Sequence, residues 1–153
     1  MTDDQQHLHH AVQLAKANVA AGGRPFGAVL VRDGKVLVEA VNEIHLSQDP
    51  TAHAEMLAIR AASQQLGPRL DGCVIYASGQ PCPMCLSAMH LCGISRVVFA
   101  ASNDVAAPFG LSTAAIYQQL ALPLAEQKLP VQHLPQAAMQ ALYREWQALH
   151  DAE

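Results

Sequence analysis

Two short strings constrain this chain more than any other feature: His53-Ala54-Glu55 and, further along, Pro81-Cys82-Pro83-Met84-Cys85. They supply one imidazole, two thiolates and a carboxylate that is not needed as a ligand. A tetrahedral zinc held by three protein ligands keeps its fourth position for water, the arrangement of a catalytic rather than a structural site.

Zinc lowers the pKa of a bound water from about 15.7 toward about 7. Glu55 lies two residues from His53, so it can reach that water without coordinating. A carboxylate in that position is placed to take a proton from that water and return it as a reaction proceeds. Two plainer readings compete. A redox C-x-x-C would leave His53 and Glu55 as coincidence. A structural zinc would want a fourth ligand, and Cys73 and Cys92, the candidates, sit in apolar stretches that read better as core.

A chain of 153 residues suits a single domain, residues 1–153, with a sizeable core. Only 14% of residues are charged against 51% apolar, which suggests that a second subunit covers part of the surface, as in a homodimer. The net charge is -4 and the nine Lys and Arg are scattered, whereas proteins that grip polyanions show a basic stripe. Nucleic acid is therefore not the expected partner. No secretory signal precedes the first helix, and no apolar run approaches the roughly 18 residues of a membrane span. The expected location is the cytoplasm, where a C-x-x-C binds metal rather than forming a disulfide.

Apolar positions Leu8, Val12, Ala15 and Val19 predict a helix over about residues 4–21, stopped by Gly22-Gly23. Strands are expected at 27–31 and 36–41, joined by an Asp33-Gly34 hairpin turn. A helix over 52–66 follows, then a strand over 73–77, a helix over 83–92 opened by Pro83, and a strand over 96–101. After a loop come a short helix near 113–120, a last strand at 129–133 and a closing helix over 135–150. This α-β-β-α-β-α-β-α-β-α order predicts an α/β fold, a three-layer α/β/α sandwich on a mixed five-stranded sheet. His53 and Glu55 then open one helix and Cys82 and Cys85 another. Their exposed N–H groups favour thiolate and hydroxide.

These strings, with Arg24-Pro25-Phe26-Gly27-Ala28-Val29, Asn42-Glu43, Asp49-Pro50-Thr51-Ala52 and Arg96-Val97-Val98-Phe99-Ala100, resemble the cytidine deaminase superfamily over nearly the whole chain. Within it the chain is most similar to small bacterial guanine deaminases and tRNA adenosine deaminases. The resemblance implies zinc (Zn2+) on His53, Cys82 and Cys85, with Glu55 as the catalytic proton shuttle. It implies that Asn42 hydrogen-bonds the substrate ring, that Phe26 lies near the base, and that the Ala54 backbone N–H contacts a ring carbonyl. Asn42 also reads as a strand-end turn residue and Phe26 as core packing.

The implied activity is deamination of a free nucleobase or related small aminated heterocycle, with water as co-substrate; a nucleoside or tRNA adenosine deaminase is the alternative. A third reading is an inactive metal-binding subunit, which the intact Glu55 opposes.

The chain departs from the guanine deaminase pattern in two places. Gly110-Leu111-Ser112-Thr113-Ala114-Ala115 precedes Ile116-Tyr117 where an acidic Phe-Asp-Asp-like stretch is expected, so the carboxylate that would read the guanine edge is missing. Gln80 stands where a Glu usually precedes Pro-Cys, a change expected to tune the site rather than cost it zinc. The end of the chain, Trp146 to Glu153, also lacks the terminal aromatic that some relatives insert into a neighbouring site.

Other residues carry weaker signals. His7, His9 and His10 read as a solvated helix face and His90 as packing or partly exposed. Arg24 suits either a surface role or an approach to substrate. The stripe Met139, Leu142, Tyr143, Trp146 and Leu149 reads as core or subunit interface.

Overall fold

The computed structural model describes residues 1–151, in two compact units, residues 1–118 and the remainder from Gln119. The first opens with α1 (Asp3–Ala20). Thr2 caps it reciprocally: its hydroxyl accepts the Gln5 N–H at 3.2 Å, and the Gln5 side chain accepts the Thr2 N–H at 2.9 Å. β1 (Gly27–Arg32) and β2 (Lys35–Val41) form the expected antiparallel hairpin. Its two turn residues, Asp33 and Gly34, both take positive φ, the geometry whose twist matches paired strands.

β3 (Cys73–Gly79) pairs antiparallel with β1, and β4 (Arg96–Ala101) runs parallel to β3. The sheet order is β2-β1-β3-β4. Between the strands lie α2 (Ile44–Ser47), α3 (Ala54–Leu66) and α4 (Pro83–Cys92).

Strand alternation puts helices on both faces of this sheet. Ala28 and Leu30 of β1 pack into a buried cluster with Ala58 and Ala62 of α3 and Met89 of α4. Val29 and Val31, pointing the other way, join Tyr76 and Ala11 of α1. Gly27 permits the close crossing of α1, because a Cβ there would lie 2.5 Å from the Ala11 carbonyl oxygen.

The fold is α/β with a mixed sheet, but the sheet has four strands among the described residues, not five. Residues 129–133 form no strand. Pro130 has no N–H to give a ladder, and the whole stretch is exposed. The helix expected from residue 52 begins at Ala54, because Thr51 and His53 close a turn through a 2.8 Å His53 N–H to Thr51 carbonyl bond.

The loop after β4 contains α5 (Asn103–Ala106) and a 3-10 turn, Ala107–Phe109. α6 (Ala114–Leu120) follows and crosses the boundary between the units. The second unit ends in α7 (Ala138–Asp151). Its apolar stripe is exposed, Trp146 at 59% and Leu149 at 70%.

Candidate active site

Two helix starts define the reacting end of the site. His53 is the N-cap residue of α3 and Cys82 that of α4. Ahead of α3, Asp49 Oδ1 accepts both the Thr51 N–H at 2.8 Å and the Thr51 hydroxyl at 2.7 Å. The Glu43 N–H bonds the Ala52 carbonyl at 2.9 Å, which ties this loop to the end of β2. Ahead of α4, Pro83 presets the first helical turn, and the Cys85 N–H points at Cys82 Sγ at 3.4 Å.

His53 Nδ1 lies 3.5 Å from Cys82 Sγ and 3.5 Å from Cys85 Sγ. With zinc–nitrogen bonds near 2.0–2.1 Å and zinc–sulfur bonds near 2.3 Å, a tetrahedral N···S edge measures about 3.6 Å. The three side chains therefore fit a zinc ion, and all their ligand atoms lie within 4.8 Å of one another.

The thiols share protons unequally. The Cys85 thiol, with help from His53 and the Cys85 N–H, holds Cys82 down to about 4 against the cost of burial. Cys85 is pushed up by that same hydrogen bond, by burial and by the Glu55 charge. Hydrogen bonding to Cys82 raises His53 and its burial lowers it.

Glu55, 6% exposed, sits one residue into α3. Burial pushes its carboxyl up to about 7, with its own backbone N–H and the His53 charge pulling the other way. A carboxyl poised near neutrality both takes and gives protons.

His53, Glu55 and Cys82 line a cavity of about 220 Å³ together with Arg24, Phe26, Asn42, Gln80 and residues 110–113. That is below the roughly 300–1,000 Å³ of sites for drug-sized ligands, so it suits a single heterocycle. Asn42, at the end of β2 and 2% exposed, turns its Oδ1 to the Ile44 N–H at 3.0 Å. Phe26 packs against Gly79, where a Cβ would approach its ring to 3.1 Å. Gln80 Oε1 accepts the Asn103 N–H at 2.9 Å, and the Tyr117 hydroxyl donates to the Pro81 carbonyl.

Of the residues expected from the sequence, Phe26, Asn42, His53, Glu55 and Cys82 line this cavity. Cys85 and Ala54 are fully buried and do not line it. Ser112 and Thr113 line it too. The sequence marks them only as a gap where a carboxylate is expected, since an isolated hydroxyl in a loop carries no positional signal. His7, His9, His10 and His90 are not among its lining residues.

Residues 1–101 match the cytidine and deoxycytidylate deaminase zinc-binding region. The chain is 45% identical to the guanine deaminase of Bacillus subtilis over 125 residues, 80% of each protein. It superposes on the X-ray structure of guanine deaminase from B. subtilis with a TM-score of 0.88, covering 94% of this chain and 93% of that one at 39% identity. It is also 41% identical over 95 residues to a tRNA-specific adenosine deaminase of Aquifex aeolicus, spanning 61% of this chain and 63% of that protein. With the donor spacing that a zinc ion requires, these likenesses place the chain in the cytidine and deoxycytidylate deaminase family, as a zinc-dependent hydrolase of carbon–nitrogen bonds.

Proposed function

We propose that this chain hydrolytically deaminates a free nucleobase or related small aminated heterocycle, exchanging a ring amine for a carbonyl oxygen from water and releasing ammonia. The observation that carries this reading is the buried Glu55 carboxyl in one small cavity with His53 and Cys82. His53, Cys82 and Cys85 would hold zinc, which when bound supplies an acidified water. Glu55 accepts a proton from the attacking water and passes it to the ring nitrogen beside the reacting carbon; it then takes the proton of the hydroxyl so added and gives it to the amine, which leaves as ammonia as the ring carbonyl forms. Asn42 and the backbone N–H of Ala54 orient the ring, and Phe26 packs beside it.

The 153 residues act as one deaminase domain, supported by the 94% coverage in the guanine deaminase superposition. We place the protein in the cytoplasm, as a homodimer. The four cysteines are all unpaired, which suits a reducing compartment. The exposed apolar stripe of α7 suits cover by a second subunit. No described helix is long and apolar enough to cross a membrane.

Likeness to tRNA-specific adenosine deaminases favours a second reading, deamination of a nucleoside or tRNA. The net charge of -4 and a cavity sized for a single heterocycle favour the small substrate. Ammonia release from a panel of free bases, nucleosides and tRNA separates the two. The small-substrate reading expects turnover of a free base and no salt-sensitive tRNA retardation in a gel; turnover confined to tRNA overturns it. Glu55→Gln should keep its zinc and lose about 100-fold or more of turnover; equal turnover would remove Glu55 from its role.

A further inference from the structure

The polar groups around the cavity are mostly hydrogen-bond donors, and this restricts the substrate within the deaminase reading, on which the inference rests. Asn42 turns its oxygen to the Ile44 N–H, which leaves its NH2 as the end available to a ligand. Ser112 Oγ accepts the Ala114 N–H at 3.1 Å, which leaves its hydroxyl hydrogen free. Gln80 turns its oxygen to the Asn103 N–H, which leaves its NH2 as the donor end. Thr113 Oγ1 is buried with no hydrogen-bond partner among the described residues.

Arg24 adds a guanidinium at the exposed rim, with no side-chain hydrogen bond or ion pair among the described residues. Glu55 is the one carboxylate among the lining residues, and it serves the reacting carbon. An N–H-rich ring edge placed against these groups would meet donor against donor. A ring edge bearing oxo groups, bare ring nitrogens or a negative charge would meet a donor at each.

We propose that Arg24 is a specificity-determining residue which, with Asn42 and Ser112, selects aminated heterocycles whose remaining ring substituents are oxo or anionic acceptors rather than amines. The planar guanidinium matches a carbonyl or a delocalised ring anion with two parallel N–H donors, which an ammonium cannot do. The missing loop carboxylate and the unpartnered arginine then act together: the cavity gives up recognition of an N–H edge and gains recognition of an acceptor edge.

The test is calorimetric titration of the full-length, zinc-loaded Glu55→Gln protein, which spares both ligands turnover, with xanthine and 2,6-diaminopurine. The titration is run at alkaline pH, where xanthine has lost its N3–H, so that O2 and N3 form an anionic acceptor edge, whereas neutral 2,6-diaminopurine sets an amine at each of the same two carbons. Xanthine should bind at least about tenfold tighter, the scale of a charged hydrogen bond. Adding Arg24→Ala should weaken xanthine by about 10- to 100-fold while moving 2,6-diaminopurine less than about threefold. Arg24→Lys should recover only part of the loss.

Equal affinities, a preference for the diamine, no binding of xanthine, or a xanthine affinity indifferent to Arg24→Ala would each overturn the proposal. Ammonia release by the Glu55-intact protein is scored separately. Turnover without the xanthine preference sinks the acceptor rule alone. The preference without turnover of any aminated heterocycle sinks the deaminase reading of the cavity.

Discussion

Asn18 of α1 is buried, 6% exposed, and does not line the cavity, yet it bonds two residues that do. Its Nδ2 donates to the Arg24 carbonyl at 2.8 Å and to the Asn42 carbonyl at 2.9 Å. Asn18→Ala removes both bonds with unequal consequences. The Arg24 carbonyl keeps the Phe26 N–H at 2.8 Å, so its loss is that of one ordinary hydrogen bond, about 0.5–1.5 kcal/mol. The Asn42 carbonyl, in a buried bond, loses its Asn18 partner, and leaving such a group unsatisfied costs about 1–3 kcal/mol. The sum, roughly 1.5–4.5 kcal/mol, corresponds to a fall in Tm of about 3–18 °C for a chain of this size. Urea unfolding of the zinc-loaded protein reads the free energy, and KM for any accepted base reads the geometry. KM should rise more than kcat falls, because Arg24 and Asn42 bind rather than react. A loss below about 0.5 kcal/mol with KM unchanged would refute the reasoning, because the Asn42 carbonyl would then have found another partner.

Cys85→Ala should abolish stoichiometric zinc, measured by metal analysis of the purified protein, and lower the thermal midpoint, because metal affinity that depends on the folded site is folding free energy. Full zinc content in that variant would remove Cys85 from the ligand set. Asp4 carries a pH dependence of its own. Hydrogen bonds from Arg96 and Tyr76 hold its carboxyl down to about 2, below its ordinary 3.8. A carboxyl depressed on folding stabilises the native state above its unfolded pKa, and the contribution fades as pH falls through the folded value. Urea midpoints of Asp4→Asn should therefore flatten between about pH 4 and pH 2 relative to the unmodified chain; parallel profiles would refute the assignment.

Much of this architecture is legible in the sequence because its signals are local. Asp33-Gly34 demands positive φ, and Pro83 and Gly93 bracket α4 in order. The expected strand at 129–133 failed on a local signal of the opposite sign, since Pro130 sits inside it. The short helix α2 leaves no sequence signal because it is a single turn following Asn42, whose Oδ1 accepts its first N–H, with no apolar period to announce it. The struts of the site were beyond sequence reading for another reason. Asn18 looks like any polar residue in an amphipathic helix, and only the folded chain shows it bonding carbonyls on two other segments.

The same contrast separates the chemistry of the site from its selectivity. His53 and Glu55 sit at the start of α3 and Cys82 and Cys85 at the start of α4, so the geometry within each pair follows from helix periodicity and its cap. Chemistry placed in this way leaves a readable spacing. Arg24, Ser112 and Thr113 lie outside any helix or strand, where neither residue type nor interval predicts what a side chain faces. A loop can exchange a carboxylate for a hydroxyl without disturbing the helix starts, because the reacting residues draw no hydrogen bond from residues 110–113. The reaction and its substrate are therefore separable in this fold. Substituting the 110–113 loop or Arg24 should redirect which heterocycle enters while leaving zinc content at one per chain; a loss of metal on such loop substitution would show that the two halves are coupled after all.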